Sequence, residues 1–387
     1  MTGSRRCFFI GVTLDENPVA YHFSALAKRL VARGHRVVIL TPHRKVALED
    51  HDGNPAIYTW PSERPTHLRD AFFLWGLIRR YHADCVVANF AAVNVMVLVG
   101  WLARVRVRVS WYHTPSAAID IDSIELAWVL KLKRIRKRMV YGLATHVVAV
   151  SKATAVDSQK VFRIPKRKSL VFFNSLDEHQ VSPRVRSSVA SGQNLICVGR
   201  LDKIKGQDVL IRALAILGLT GLYARVDFVG EGPQESGYRR LARDLGVERC
   251  CAFLGRRPHY EVLNRISDAV VSIIPSRCEG LCLVAIESLA AGTPVIASEV
   301  GGLPEIIEHG VEGFLVPPDD PEALASKLKL LLNDAELRRR MGLNGRERFL
   351  STFEQGKIVE QQADWLESIT RMSQGISNGG GQDGAPA

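Results

Sequence analysis

Strand-length apolar runs alternate with helix-period segments through most of this 387-residue chain, and that alternation constrains its fold more than any other feature. Cys7 to Val12, Arg36 to Thr41, Asp84 to Ala88, Val105 to Tyr112 and His146 to Val150 read as strands, most of them apolar enough to be covered on both faces. Tyr21 to Arg33, Leu68 to Tyr81, Ala91 to Arg104, Ile124 to Tyr141 and Ser151 to Val161 read as the intervening helices, with Ser151 at an N-cap. Such alternation implies a parallel sheet with helices on both faces. It lapses once, at residues 177–193, where a polar stretch with a proline and several serines marks a linker. Strands then resume at Asn194 to Val198, Arg225 to Val229, Cys251 to Leu254, Asp268 to Ile274 and Pro294 to Ser298. Helices over Gln207 to Leu217, Gln234 to Leu245 and His259 to Ile266 separate them, and Pro321 to Leu332, Glu336 to Phe349 and Glu354 to Met372 follow. The expected fold class is α/β, two doubly wound domains facing each other across a cleft.

The length suits two full cores, and 47 % apolar with 24 % charged residues is ordinary for a soluble globular protein. No apolar run reaches the roughly 18 residues of a membrane-spanning helix, Val93 to Ala103 coming nearest. The opening MTGSRRCFFIGV runs directly into a strand without the apolar core of a secretory signal, so a cytoplasmic location is expected. Seven scattered cysteines suggest inert thiols in a reducing compartment, and no Cys/His set completes a zinc site. Charge is uneven: residues 1–180 hold 27 Lys+Arg against 14 Asp+Glu, and the remainder 24 against 26. A polyanion or an anionic membrane surface is therefore expected to meet the first half alone.

In the second half, Pro275 to Glu305 (PSRCEGLCLVAIESLAAGTPVIASEVGGLPE) concentrates the chemistry. Pro275-Ser276 breaks a strand, and Leu281 to Ala291 forms a helix closed by Gly292. Glu279 then lies in the loop before that helix and Glu287 inside it, eight residues on, a little over two turns away. Gly301-Gly302 follows the next strand, where unshielded amides suit an anion. Open α/β folds place ligands at this edge of the sheet. In VGRLDKIKG, Arg200 offers a forked donor and Lys205 a point charge ahead of a helix N-terminus, a set suited to a diphosphate. Gly230 and Gly232 in VGEGP repeat the strand-to-glycine pattern, for which close packing is the ordinary explanation, and their place at the same carboxyl edge adds weight to a ligand's approach.

VGRLDKIKG, VGEGP, FLGRRP, EGLCLVAIES, AAGTPVIAS and GGLPEII stand in the order found in glycosyltransferase family 4, and the chain resembles that family. The likeness is strong over about residues 145–320 and an outline in the first domain. It implies the two-domain GT-B fold, each domain Rossmann-like, and retaining transfer from a nucleotide sugar. It also implies that the last helix, 353–372, crosses back onto the first domain. The resulting domains are 1–176 on the acceptor side and 194–352 for the nucleotide sugar, with a disordered tail at 373–387. By the same resemblance Arg200 and Lys205 bind the donor diphosphate, Glu287 the ribose hydroxyls, and Glu279 lies beside the transferred sugar. His113, in WYHTP, faces that sugar as a second catalytic residue. Arg257, after FLGR, falls near the base, and Gly230, Gly232, Leu283 and Val284 complete the nucleotide-binding loops.

No metal or other cofactor is expected, because cations and amides can stabilise the departing diphosphate by preorganised electrostatics. Asp120-Ile121-Asp122 has a metal-pair spacing but precedes a helix of the first half. A covalent carboxylate intermediate and a same-face substitution both fit retention. One departure concerns the acceptor side: Gly11 is followed by VTLDENPVAYH without the family's second glycine, leaving Asn17 or His22 to take over that role.

Trp128 to Tyr141 (WVLKLKRIRKRMVY) carries six cations from Lys131 to Arg138 among apolar residues at helical spacing. Such a helix lies at the surface of anionic membranes, or packs on a core with a solvated basic face. The first alternative makes the protein peripheral on the inner membrane face and its acceptor a lipid or lipid-linked glycan. The others are a soluble acceptor and a catalytically impaired nucleotide-sugar binder. Nucleic acid is not an expected partner, since the basic residues lack interleaved aromatics or a known motif.

Overall fold

The computed structural model describes residues 5–15, 17–42, 53–118, 127–181 and 194–378. The expected pair of doubly wound domains is what the chain forms. In the first, strands β1 (Cys7–Gly11), β2 (Arg36–Thr41), β3 (Ala56–Thr59), β4 (Cys85–Ala88), β5 (Val107–Tyr112), β6 (His146–Ala149) and β7 (Ser169–Val171) lie in the order β3-β2-β1-β4-β5-β6-β7. Helices α1 (Pro18–Ala32), α2 (Leu68–Tyr81), α3 (Val93–Leu102), α4 (Ala127–Leu143) and α5 (Lys152–Phe162) connect them. In the second, β8 (Asn194–Val198), β9 (Arg225–Val229), β10 (Cys251–Phe253), β11 (Val271–Ile274), β12 (Val295–Ser298) and β13 (Gly313–Val316) lie in the order β10-β9-β8-β11-β12-β13. Their helices are α6 (Gln207–Leu219), α7 (Glu235–Asp244), α8 (His259–Asp268), α9 (Leu283–Ala291), α10 (Leu303–Ile306), α11 (Pro321–Asn333), α12 (Ala335–Arg348) and α13 (Gln355–Asn378).

Every named strand pairing is parallel, so both faces of each sheet must be covered, and successive side chains enter different cores. Cys7 and Phe9 belong to one cluster, Phe8 and Ile10 to another. Leu195 and Cys197 divide from Ile196 and Val198 in the same way. The strand order reverses between β1 and β4 and again between β8 and β11, which makes two switch points where loops part and leave a crevice. All seven cysteines are free, and burial pushes the Cys251 thiol up to about 12.

Three strands lie outside the sequence expectations: β3, β7 and β13. Each is an edge strand of three or four residues. Helix α13 runs six residues past the expected end at Met372, so residues 373–378 continue the helix where a disordered tail was expected. One glycine among six residues costs less than the hydrogen bonds that propagation adds. The basic stretch forms α4 as expected, although its first residues, with Asp120-Ile121-Asp122, fall among residues 119–126 outside the described ones. So do residues 182–193 of the linker and 379–387 of the tail. No helix among the described residues is long and apolar enough to cross a membrane.

Helix α13 leaves the second domain and docks on the first. Val359, Ala363, Leu366 and Ile369 enter the cluster that holds Phe8, Ile10, Phe23 and Leu26. Polar contacts reinforce the docking: Arg33 meets Asp364 at 2.8 Å, and Arg6 Nη1 donates to the Glu367 carbonyl at 2.7 Å. His22, fully buried, joins three segments here. Its Nδ1 accepts from the Ser175 amide at 3.2 Å and lies 2.7 Å from the Ser175 hydroxyl, while Nε2 lies 3.0 Å from Gln362 Oε1. Gln362 Nε2 donates to the Phe173 carbonyl, so Oε1 is an acceptor and His22 carries its proton on Nε2. His22 is therefore a structural clasp and Asn17 the N-cap of α1, accepting from the Ala20 amide at 2.9 Å, so neither replaces the missing glycine.

Burial brings the His22 pKa down to about 4, with the Gln362 bond opposing. Unfolded histidine takes its proton near 6.5, so between pH 6.5 and 4 the unfolded chain binds more protons and stability falls as pH falls. Thermal melts should drop steadily across that window, by up to about 3 kcal/mol from this residue. His22→Gln should flatten the slope, and an unchanged slope would remove His22 from the account.

Candidate active site between the two domains

Glu279 stands where the β8/β11 switch point opens, on the loop that leaves β11. It is 6 % exposed, and Oε1 accepts from Lys205 Nζ at 2.6 Å and from the Ser276 hydroxyl at 2.8 Å. Lys205 reaches it because Gly199 follows β8 and the next turn, capped by Asp202 on the Lys205 amide at 3.1 Å, swings back over the crevice. Burial alone would lower the Lys205 ammonium, and the Glu279 carboxylate more than offsets that and holds its pKa up. Arg200 lies on the same turn, largely exposed, with Nε 3.1 Å from Asp202 Oδ2. The two expected phosphate-binding cations thus share a turn, one inside the crevice and one at its mouth.

Arg277 holds this arrangement and was not singled out in the sequence. Its Nη1 and Nη2 grip Asp208 at the start of α6 at 2.9 and 2.7 Å, and Nη1 also donates to the Lys203 carbonyl at 2.6 Å. One guanidinium therefore ties the Glu279 loop to the Lys205 turn. An arginine two residues from an expected catalytic carboxylate was the available signal, but its bidentate partner lies 69 positions away.

Glu287, 3 % exposed inside α9, has Oε1 2.8 Å from His259 Nε2. Tyr21 of α1 brings its ring to 5.7 Å from that of His259, so the first domain touches this end of the site as well. Leu283 and Val284 head α9, where amides lack intrahelical partners. Arg257 lies in the exposed loop before α8, 3.9 Å from Glu261. Gly230 and Gly232 are required by packing: a Cβ would sit 2.1 Å from the Gly199 carbonyl oxygen in the first case and 2.2 Å from that of Leu201 in the second. Gly301 and Gly302 likewise allow the Glu279-Gly280 backbone to pass, since a Cβ would lie 1.8 and 2.3 Å from its carbonyl oxygens.

From the first domain, His113 follows β5 beside the β1/β4 switch point. Asn89 Nδ2 donates to the Gly11 carbonyl at 3.0 Å, so Asn89 Oδ1 accepts from His113 Nε2 at 2.8 Å. The proton is thereby assigned to Nε2 and Nδ1 keeps its lone pair. Phe90 stacks on the ring at 4.3 Å, and burial, with His22 adding to it, brings the His113 pKa down to about 3. The ring is neutral at ordinary pH. Its backbone meets the second domain: a Cβ at Gly280 would lie 2.0 Å from the His113 carbonyl oxygen. The His113 backbone therefore abuts the loop that carries Glu279. A cavity of about 170 Å³ opens beside His113 between α3 and α4, lined by Phe90, Asn94, Tyr112, Lys137 and Tyr141 among others.

Helix α4 shows a second feature. Trp128, Leu132, Ile135 and Met139 are 65, 59, 48 and 69 % exposed, and spacings of four, three and four put them on one face. At 100° per residue Lys131 and Arg138 flank that stripe on one side and Arg136 on the other. Of the apolar set read in the sequence, Val140 is buried and these four are not, so the core-packed alternative fails for most of the helix.

The chain matches the family described as Glycosyltransferase Family 4 over residues 19–180 and that described as Glycosyl transferases group 1 over residues 185–348. It is 30 % identical to an uncharacterized glycosyltransferase of Methanocaldococcus jannaschii over 82 % of this chain and 85 % of that one. It is also 30 % identical to a D-inositol 3-phosphate glycosyltransferase of Corynebacterium urealyticum over 62 % of each chain, so it spans under two thirds of that relative's length. Among solved structures, Anabaena HepE in complex with UDP and glucose superposes with a TM-score of 0.75 at 22 % identity, covering 94 % of this chain and all of that one.

Replacing Arg277 by Ala should cost about 1–3 kcal/mol, because a half-buried Asp208 and the Lys203 carbonyl lose a charged, bidentate partner. Arg277→Lys should recover little of it, since one ammonium cannot reproduce the fork. Urea midpoints at pH 7 measure both.

Proposed function

This chain belongs to glycosyltransferase family 4, and on that premise we propose that it moves a sugar from a nucleoside-diphosphate donor to an acceptor hydroxyl with retention at the anomeric carbon. The observation that carries the proposal is the Lys205–Glu279 pair at 2.6 Å, on a loop whose Gly280 abuts the carbonyl of a neutral His113. Transfer builds negative charge on the departing diphosphate and positive charge on the anomeric carbon. Lys205 and Arg200 answer the first, with the amides that head α9 beside them. Glu279 sits within reach of the second, and the His113 Nδ1 lone pair accepts from a sugar hydroxyl. Glu287, oriented by His259, takes the ribose hydroxyls with its other oxygen. The UDP in the HepE structure supports a nucleotide donor for this cleft as well. No metal ion enters this scheme.

The acceptor enters from the first domain through the cavity beside His113. The exposed apolar stripe on α4 with its flanking cations favours a lipid or lipid-linked acceptor met at an anionic membrane surface. A soluble acceptor is the second reading, favoured by the inositol phosphate in the Corynebacterium relative's name.

Lys205→Ala and Glu287→Ala should each weaken nucleoside-diphosphate binding by about 1.5–3 kcal/mol, roughly ten- to a hundred-fold, in calorimetry. Glu279→Gln and His113→Ala should leave that affinity in place and depress turnover, and EDTA should leave wild-type turnover unchanged. Equal affinity losses in all four variants would place the last two on the nucleotide. For the membrane, co-sedimentation should show binding to anionic but not zwitterionic vesicles, lost in high salt and on reversing the six α4 charges. Labelled sugar recovered only in the aqueous phase would move the acceptor to the soluble class.

A further inference from the structure

Glu305, in the GGLPE segment, has no part in the donor-binding scheme, yet it reaches across the cleft. Its Oε2 accepts from the Lys152 amide and its Oε1 from the Ala153 amide, both at 2.8 Å. These are the first two amides of α5, in the opposite domain. The third, Thr154, is bonded within its own domain by the Ser151 hydroxyl at 3.1 Å. That hydroxyl in turn donates to the Gly280 carbonyl at 2.8 Å, on the loop that carries Glu279. Glu305 is anchored from behind, its carbonyl accepting from Arg348 Nη2 of α12 at 3.1 Å.

The opening amides of a helix have no intrahelical partner and carry the positive end of its dipole. A carboxylate that takes two of them forms charge-assisted bonds. An intradomain residue normally supplies such a cap. Here the cap and the helix belong to different domains, so the contact is complete only when the domains are together. Opening returns the amides and the carboxylate to water, which satisfies both, so the contact is reversible.

We infer that Glu305 is a positioning residue that holds the cleft closed by capping α5 of the opposite domain, and in doing so sets His113 against the Glu279 loop. The path is short. Helix α5 follows β6, β6 pairs with β5 at Tyr112↔Ala149, and His113 is the next residue after Tyr112. A cap that fixes α5 therefore fixes the His113 carbonyl, which Gly280 meets directly. The catalytic consequence rests on the glycosyltransferase reading, whereas the clasp does not.

Solution scattering, UDP calorimetry and hydrolysis of UDP-glucose by water on wild type, Glu305→Gln and Glu305→Ala test it. Glu305→Ala should scatter as a more expanded particle, with and without UDP. Its kcat for hydrolysis should fall at least tenfold while the UDP affinity changes less than twofold. Glu305→Gln, which keeps one acceptor oxygen and nearly the same shape, should lie between, and it carries the test alone if the alanine variant melts early. Wild-type scattering with wild-type kcat in both variants would overturn the proposal. Failure of wild type to bind UDP would count against a uridine donor only, and the scattering of unliganded proteins then decides on the clasp by itself.

Discussion

Backbone meets backbone at the centre of this molecule, and the site depends on there being no side chain in the way. The Glu279-Gly280 segment is sandwiched between the His113 carbonyl of one domain and Gly301-Gly302 of its own. Cβ atoms at these glycines would lie 1.8 to 2.3 Å from carbonyl oxygens, far inside contact distance. Gly301 also has a φ of +54°, which L side chains rarely adopt. The position of Glu279 is thus set by main-chain contacts on both sides, and side chains only orient it. That is a stiffer support than a network of long polar residues, whose rotamers must each be ordered.

Around that backbone the charges are arranged before any ligand is bound. A carboxylate this deeply buried is tolerable only with its charge and lone pairs satisfied, and Lys205 with Ser276 does this. A preorganised ion pair needs little rearrangement when new charge appears beside it. Arg277 extends the scheme outward, fastening the two loops that supply the pair to the start of α6.

The sequence revealed the two domains, most of their helices and the residues that converge on the cleft, because burial on both sheet faces and chemistry at strand ends leave local marks. Lys205, Glu279 and Glu287 were visible since each follows a strand at fixed spacing. Ser169–Val171 was not, being a half-buried edge strand directly behind the three cations Lys166–Lys168. Partners remote in sequence were also hidden: Asn89 for His113, His259 for Glu287, Asp208 for Arg277. His22 was misread for the same reason, since nothing near it announces Ser175 or Gln362. The glycines of VGEGP kept two explanations open in the sequence, and the closeness of the Gly199 and Leu201 carbonyls accounts for the packing one.

The docking of α13 has a consequence for the order in which the protein can be made. Its apolar residues complete a core begun by Phe8, Phe23 and Trp111, more than 200 residues earlier in the chain. A ribosome finishing the first domain's last strand has not yet synthesised the helix that covers one face of the sheet. That face stays open to solvent, with α1 as its partial cover, until the entire second domain has emerged. The first domain to be translated is therefore the last to be sealed, and the second must fold beside a neighbour whose core is still unfinished.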